Sequence, residues 1–175
     1  TQVGSSAASD VYKRQPLYAL NENGYKRIIE LSSLSYLNDI EINEPYLNFN
    51  ELLKPNEGVS LFSGTVNGLF GQLFEKGKFK EIEKLYSDLK SSYKDRFYIE
   101  IQRHGDTNEK GFEKFNLSKS LNLEIPLIAT NEVYYIDKNM HEAHDALICI
   151  KNKAYVNEKN RVRSVSYTHL TLPTI

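Results

Sequence analysis

At 175 residues, with 40% hydrophobic and 26% charged side chains, the chain can bury one ordinary core and has a globular composition, which excludes a disordered or low-complexity segment. Its 22 Lys plus Arg stand against 23 Asp plus Glu, so no overall field draws it to nucleic acid or to an anionic membrane. The single Cys149, inside the apolar run ALICI, excludes an internal disulfide or a cysteine zinc cluster and fits a reducing cytoplasm as a buried, inert thiol.

The first fifteen residues, ending SSAASDVYKRQ, share neither the Lys/Asn/Ile-rich texture of the middle nor any amphipathic period. The same holds for the last eleven, VSYTHLTLPTI. Both resemble translated adapter read-through and are set aside as foreign, which leaves 16–164 as the domain portion and 165–175 as the second addition. Thr168 and His169 then carry no functional weight. Ser5 to Asp10 lacks the apolar stretch of a leader peptide, and no apolar run approaches the ~20 residues a spanning helix needs, so a soluble protein with no membrane partner is expected.

From Leu17 the chain divides into four segments, each a short apolar strand, a polar or glycine-bearing corner and a helical pattern. LYALNENG predicts a strand and turn, and YKRIIELSSLSYL follows with Ile28, Leu31, Leu34 and Leu37 three apart, an apolar helical stripe. A short helix at NFNELLK is closed by Pro55 and Gly58. GVSLFSGTVNG repeats the strand and corner, and helices run on to Tyr93 with Phe79, Ile82, Leu85 and Leu89 as apolar positions. RFYIEIQRHG sets Phe97, Ile99 and Ile101 against Tyr98, Glu100 and Gln102, a period of two. A helix over about 108–122 leads to PLIATNEVYYI, read as a buried strand breaking into polar residues. A last helix begins near Lys138 and carries HEAHDALICI.

Strands alternating with helices predict an α/β fold with parallel pairing. In such sheets function gathers at the carboxyl ends of the strands. The ends offer Asn21 and Glu22, then Ser63, Gly64 and Thr65, then Gln102 and His104, then Asn131, Glu132 and Tyr134, all expected on one face.

One imidazole and two carboxylates on separate strands are a thin metal donor set; a polar network holding loops is the plainer reading. HEAHD lacks the H-E-x-x-H spacing of a zinc protease, so Glu142 is expected at a helix start and His144 against a neighbour. SGTVNG lacks the lysine and glycine spacing of a phosphate loop. It also lacks G-x-S-x-G, so Ser63 reads as part of a corner that needs Gly64. KGKFKEIEK is a solvated helix face, and the dispersed Tyr and Phe form no stacking platform.

Taken in order and spacing, LYALNENGYKRIIELSSLSYL, GVSLFSGTVNG with KGKFKEIEKLY, DRFYIEIQRHG, IPLIATNEVYYI and EAHDALICI with NEKNR resemble the PHP (polymerase and histidinol phosphatase) domain at the start of bacterial DNA polymerase III alpha subunits. The likeness covers nearly all of Leu17 to Arg163. It implies a partial, distorted (β/α) barrel truncated at its N-terminal side. It also implies a longer cytoplasmic protein that extends DNA with deoxynucleoside triphosphates through other domains, where magnesium is expected. Partners implied are a proofreading exonuclease subunit and other holoenzyme subunits.

Intact members hold metal ions on His, Asp, Glu and Cys and support phosphoester hydrolysis. Here Ser-Gly-Cys is replaced by Ser63, Gly64 and Thr65, and Thr-Asn-Asp-x-His by Thr130, Asn131, Glu132, Val133 and Tyr134; the early His-x-His segment lies before the start. A hydroxyl and a phenol with a reference pKa of about 10 are poor ligands at neutral pH. Thr65, Glu132 and Tyr134 thus mark a degenerate site, and no cofactor and no catalysis are expected in this portion, whose role is structural and partner-docking. A metal-dependent phosphoesterase of the same superfamily is the alternative.

Overall fold

The computed structural model describes residues 2–5, 13–37, 46–104, 108–131 and 133–163. They belong to two compact units, Thr1–Thr130 and Asn131–Ile175.

The first unit is mixed α/β. Its elements in order are β1 (Gln2–Ser5), β2 (Lys13–Ala19), α1 (Glu22–Leu37), α2 (Phe49–Leu53), β3 (Val59–Phe62), α3 (Leu69–Glu75), α4 (Phe79–Tyr93), a 3-10 turn at Lys94–Arg96, β4 (Phe97–Ile101), α5 (Glu109–Leu123) and β5 (Leu127–Ala129). The sheet is open, in the order β1-β2-β3-β4-β5. Within the N-terminal stretch read as foreign, Gln2 and Val3 pair with Pro16 and Gln15.

Parallel pairing holds for β3 with β4 (Leu61 opposite Phe97) and for β4 with β5 (Ile99 opposite Leu127). It fails for β2 and β3, which are antiparallel with Leu17 opposite Leu61 and Ala19 opposite Val59. An alternating strand–helix order permits a parallel crossover without requiring one, since antiparallel neighbours accept a connection of any length. The carboxyl end of β2, with Asn21 and Glu22, therefore lies beside the start of β3 rather than beside Ser63, which corrects the expected convergence of all four strand ends. Asn21 instead caps α1, its Oδ1 accepting from Gly24 N at 2.9 Å.

Helices pack on one sheet face against Leu17, Val59, Leu61, Phe97 and Ile99, all buried. Ile28 and Leu31 of the α1 stripe are buried and Leu34 packs against the core, but Leu37 at the helix end is 76% exposed. Phe70, Phe97, Tyr86 and Tyr93 are fully enclosed, and burying a side chain the size of Phe contributes roughly 1.5–3 kcal/mol. The two tyrosine hydroxyls bring partners with them: Tyr86 donates to Asn116 Oδ1 at 2.9 Å and Tyr93 to the Leu52 carbonyl at 2.9 Å. Arg96 closes the α2 to β3 loop, its Nη1 donating to the carbonyls of Asn56 and Val59, each at 2.6 Å.

Two differences from the sequence reading matter for the site. Glu100, set by its period opposite Phe97 and Ile99 on β4, is itself buried at 5% exposure. PLIATNEVYYI contributes just Leu127–Ala129 as strand, at the sheet edge, with Leu127 and Ala129 exposed rather than buried.

The second unit holds a 3-10 turn, Lys138–Met140, capped by Asp137 accepting from Asn139 N at 3.0 Å, and α6, His141–Asn152. Cys149 is buried there and free. Arg161 forks onto Asp145 of α6 with Nη1–Oδ1 2.8 Å and Nη2–Oδ2 2.6 Å, and also donates to the Val156 carbonyl, so the chain after the helix folds back upon it. Among the described residues no helix is long and apolar enough to cross a membrane.

Candidate functional site

In the first unit the ends of β3, β4 and β5 build one polar cluster. β3 stops at Phe62, and Gly64 takes a φ of +79°, a left-handed corner that a side chain would strain. The corner turns Ser63 inward. Ser63 is fully buried; its N–H donates to the Tyr98 carbonyl, its Oγ accepts from Glu100 N at 2.9 Å, and Gln15 Nε2 donates to its carbonyl at 3.2 Å. The Ser63 hydroxyl also donates to the Gly64 carbonyl at 3.3 Å, so it is committed to the backbone. Thr65 follows, half-buried, its carbonyl accepting from Gly68 N in the turn that leads to α3.

Beside this corner, Glu100 Oε1 accepts from the Thr130 hydroxyl, and from Gln102 Nε2 at 3.1 Å. Gln102 Nε2 also donates to Thr130 Oγ1 at 2.8 Å, and Gln102 Oε1 lies 2.9 Å from His104 Nε2. The backbone N–H of His104 donates to Glu109 Oε1 at 2.6 Å, which ties the strand end to the first turn of α5. Glu100 Oε2 is buried and has no hydrogen-bond partner among the described residues. Tyr18 on β2 lies within the influence of this charge: partial burial first, and the Glu100 carboxylate second, raise its phenol above the ordinary tyrosine range.

The second unit holds the other predicted positions. Asn131 is exposed, and Glu132 lies outside the described residues. Tyr134, 55% exposed, stacks its ring on His144 with centroids 5.2 Å apart and planes 15° apart. Tyr135 is buried and touches His144 at 5.4 Å and His141 at 6.3 Å. The HEAHD histidines thus meet aromatic rings, as the packing role read for His144 requires. Sequence reasoning missed Glu100 and Thr130 as the centre of the first cluster. The signal for Thr130 was its place at the end of an apolar strand; for Glu100 there was none, because alternation alone only sets it opposite the apolar residues.

A mixed α/β unit with its polar residues gathered at consecutive parallel strand ends is the setting of a strand-end active-site domain. Residues 2–104 match the model of the PHP domain, and the chain belongs to that family. It is similar to the DNA polymerase III subunit alpha of Caulobacter vibrioides, 37% identical over 147 residues, covering 84% of this chain and 13% of that protein. The subunit of the same name from Rickettsia prowazekii is 36% identical over 82% of the chain and 12% of its own length, and that from Vibrio cholerae 28% identical over 93% and 14%. The chain therefore spans only about an eighth of the length of these relatives.

The donors in the first unit fit a metal cluster poorly. Glu100 and His104 are bridged by the Gln102 carboxamide, and Glu100 Oε1 is already engaged by two neutral donors. Among the described residues no three His, Cys, Asp or Glu come together closely enough to hold a metal ion.

Proposed function

We propose that this chain is the later part of the PHP domain of a replicative DNA polymerase III alpha subunit. The longer protein would extend DNA with magnesium in its polymerase domain. This portion, 16–164 by composition, would act as a structural and docking domain without catalysis of its own. The observation that carries the reading is similarity across 84% of the chain to a protein named DNA polymerase III subunit alpha. The architecture proposed for this portion is a partial, distorted (β/α) barrel of the family, truncated at its N-terminal side. A cytoplasmic location and contact with a proofreading exonuclease and other holoenzyme subunits belong to the same proposal.

Support for a degenerate site comes from Thr65 and Tyr134, a hydroxyl and a stacked phenol where the family carries metal ligands, and from the amide between Glu100 and His104. The deciding experiment extends the reading frame on both sides and assays the product. Primer extension together with sub-stoichiometric metal by elemental analysis supports the proposal. A frame without polymerase carboxylates overturns it. Charge reversals on the exposed helices that leave exonuclease co-purification unchanged across the whole domain surface would remove the docking role. Excising 1–15 tests the boundary: a lower melting temperature places the true start before Pro16, a point on which the strand pairing of Gln2–Ser5 and the buried Gln15 bear.

A second reading, a metal-dependent phosphoesterase, is favoured by one observation, the buried and unpartnered Glu100 Oε2 close to the strand ends. It requires chelator-sensitive hydrolysis of a phosphomonoester by the extended protein.

A further inference from the structure

The hydrogen bonds at the ends of β4 and β5 run in one direction. The Thr130 hydroxyl has one proton and gives it to Glu100 Oε1. Its oxygen, and Glu100 Oε1 as well, then face Gln102 as acceptors, at 2.8 and 3.1 Å. Only the NH2 end of the Gln102 amide satisfies both; the inverted amide would set oxygen against oxygen twice. With the nitrogen so placed, Gln102 Oε1 points at His104 Nε2, 2.9 Å away. A carbonyl oxygen only accepts, so Nε2 must carry the proton.

We infer that Glu100, acting through Gln102, holds His104 as its Nε2–H tautomer, which makes Nδ1 the acceptor nitrogen of this imidazole. Glu100 and Gln102 are positioning residues for that nitrogen. The strand periodicity conceals the relationship, because it is Thr130, 28 residues from Gln102 and 30 from Glu100, that fixes which way the amide lies. The inference concerns the orientation of an acceptor, and it stands whether the longer protein is a polymerase or a phosphoesterase.

The test is long-range proton–nitrogen correlation on the full 175-residue chain labelled at histidine nitrogen, in alkaline buffer where imidazoles are neutral. His104→Asn identifies the resonances. The expected spectrum has a pyrrole-like Nε2 and a pyridine-like Nδ1 for His104. Gln102→Lys offers Nε2 a donor in place of an acceptor and should reverse the pattern, Glu100→Leu should give a mixture, and Gln102→Glu, which keeps an acceptor, should preserve it. A cooperative thermal transition in each variant shows that it is folded. A pyridine-like Nε2 in the unaltered protein overturns the inference by itself, even if every variant fails to fold. An unchanged pattern in folded Gln102→Lys overturns the role of Gln102.

Discussion

The ring of Tyr134 lies flat on the imidazole of His144, 5.2 Å between centroids and 15° between planes. The position that the family resemblance assigns to a ligating histidine is here a packing residue of α6. Offset aromatic pairs of this kind contribute about 0.5–1.5 kcal/mol beyond their area. Tyr134→Phe should leave the stability of this unit nearly unchanged, whereas Tyr134→Ala should lower it by about 1 kcal/mol. Hydrogen exchange along α6 reads the difference. Equal protection in all three proteins would show that the stack contributes nothing.

Tyr93 should make the first unit sensitive to alkali. Burial pushes its phenol up to about 12, against the opposing pull of Arg27 and Arg96, from an ordinary value of 10.0. Between these values the unfolded chain loses this proton and the folded chain keeps it, so unfolding is favoured as pH rises through the window. The stability is fully present below pH 10 and is lost progressively toward 12. Burial raises the Tyr86 phenol in the same direction. Tyr93→Phe should cost about 1 kcal/mol at neutral pH through the lost bond to Leu52, yet flatten the alkaline fall. Urea titrations at several pH values would show both effects, and parallel curves for the two proteins would refute the assignment.

The limits of sequence reading show in particular residues. The α1 stripe, the short α2 and the alternation of Phe97 and Ile99 were legible, because helix and strand periods report local burial. Leu37 was misplaced because the last turn of α1 extends past the core. The burial of Glu100 was not legible, because period two distinguishes the two faces of a strand but not whether both are covered. The antiparallel β2 was hidden because helices between two strands permit a parallel crossover without requiring one. The cluster of Glu100, Gln102 and Thr130 joins two strands through α5, a relation that local pattern cannot carry.

Gly24 marks the tightest packing of α1 on the sheet. A Cβ there would sit 1.8 Å from the Gly58 carbonyl oxygen, a backbone atom that cannot step aside, and Gly58 itself holds a φ of +75°. Gly24→Ala should therefore displace α1 from β3, with a loss of about 3 kcal/mol or more, at or above the upper range for overpacking. Gly77→Ala is the contrast: among the described residues nothing lies within 4 Å of the added methyl, and only the left-handed φ of +68° is penalised, at about 1 kcal/mol. Denaturant midpoints should rank the two in that order.

Arg161 should govern the chain that follows α6. Its side chain is almost wholly enclosed, forked on Asp145 and bonded to the Val156 carbonyl, and the Asp145 partner raises its pKa above the usual arginine value. Arg161→Ala removes every one of these anchors at once, while Arg161→Lys keeps the charge but not the fork. Limited proteolysis should open the 153–163 stretch in both variants, faster in the alanine form. Identical cleavage rates in all three would mean that this segment is held by other contacts.

Ser63 provides the sharpest separation of structural from catalytic roles at the strand ends. Its Oγ accepts from Glu100 N on the neighbouring strand and donates to the Gly64 carbonyl, with no exposed surface. A nucleophile needs a reachable oxygen and a base to take its proton, and this hydroxyl is inaccessible and gives its proton to the Gly64 carbonyl. Ser63→Ala should leave the Glu100 amide buried without an acceptor and cost about 1–3 kcal/mol, the price of an unsatisfied buried donor. Ser63→Thr restores the hydroxyl and should recover part of that loss. A fluorophosphonate probe should leave Ser63 unlabelled in the folded chain. Labelling at Ser63, or an alanine variant as stable as the original, would return this corner to the list of reactive sites.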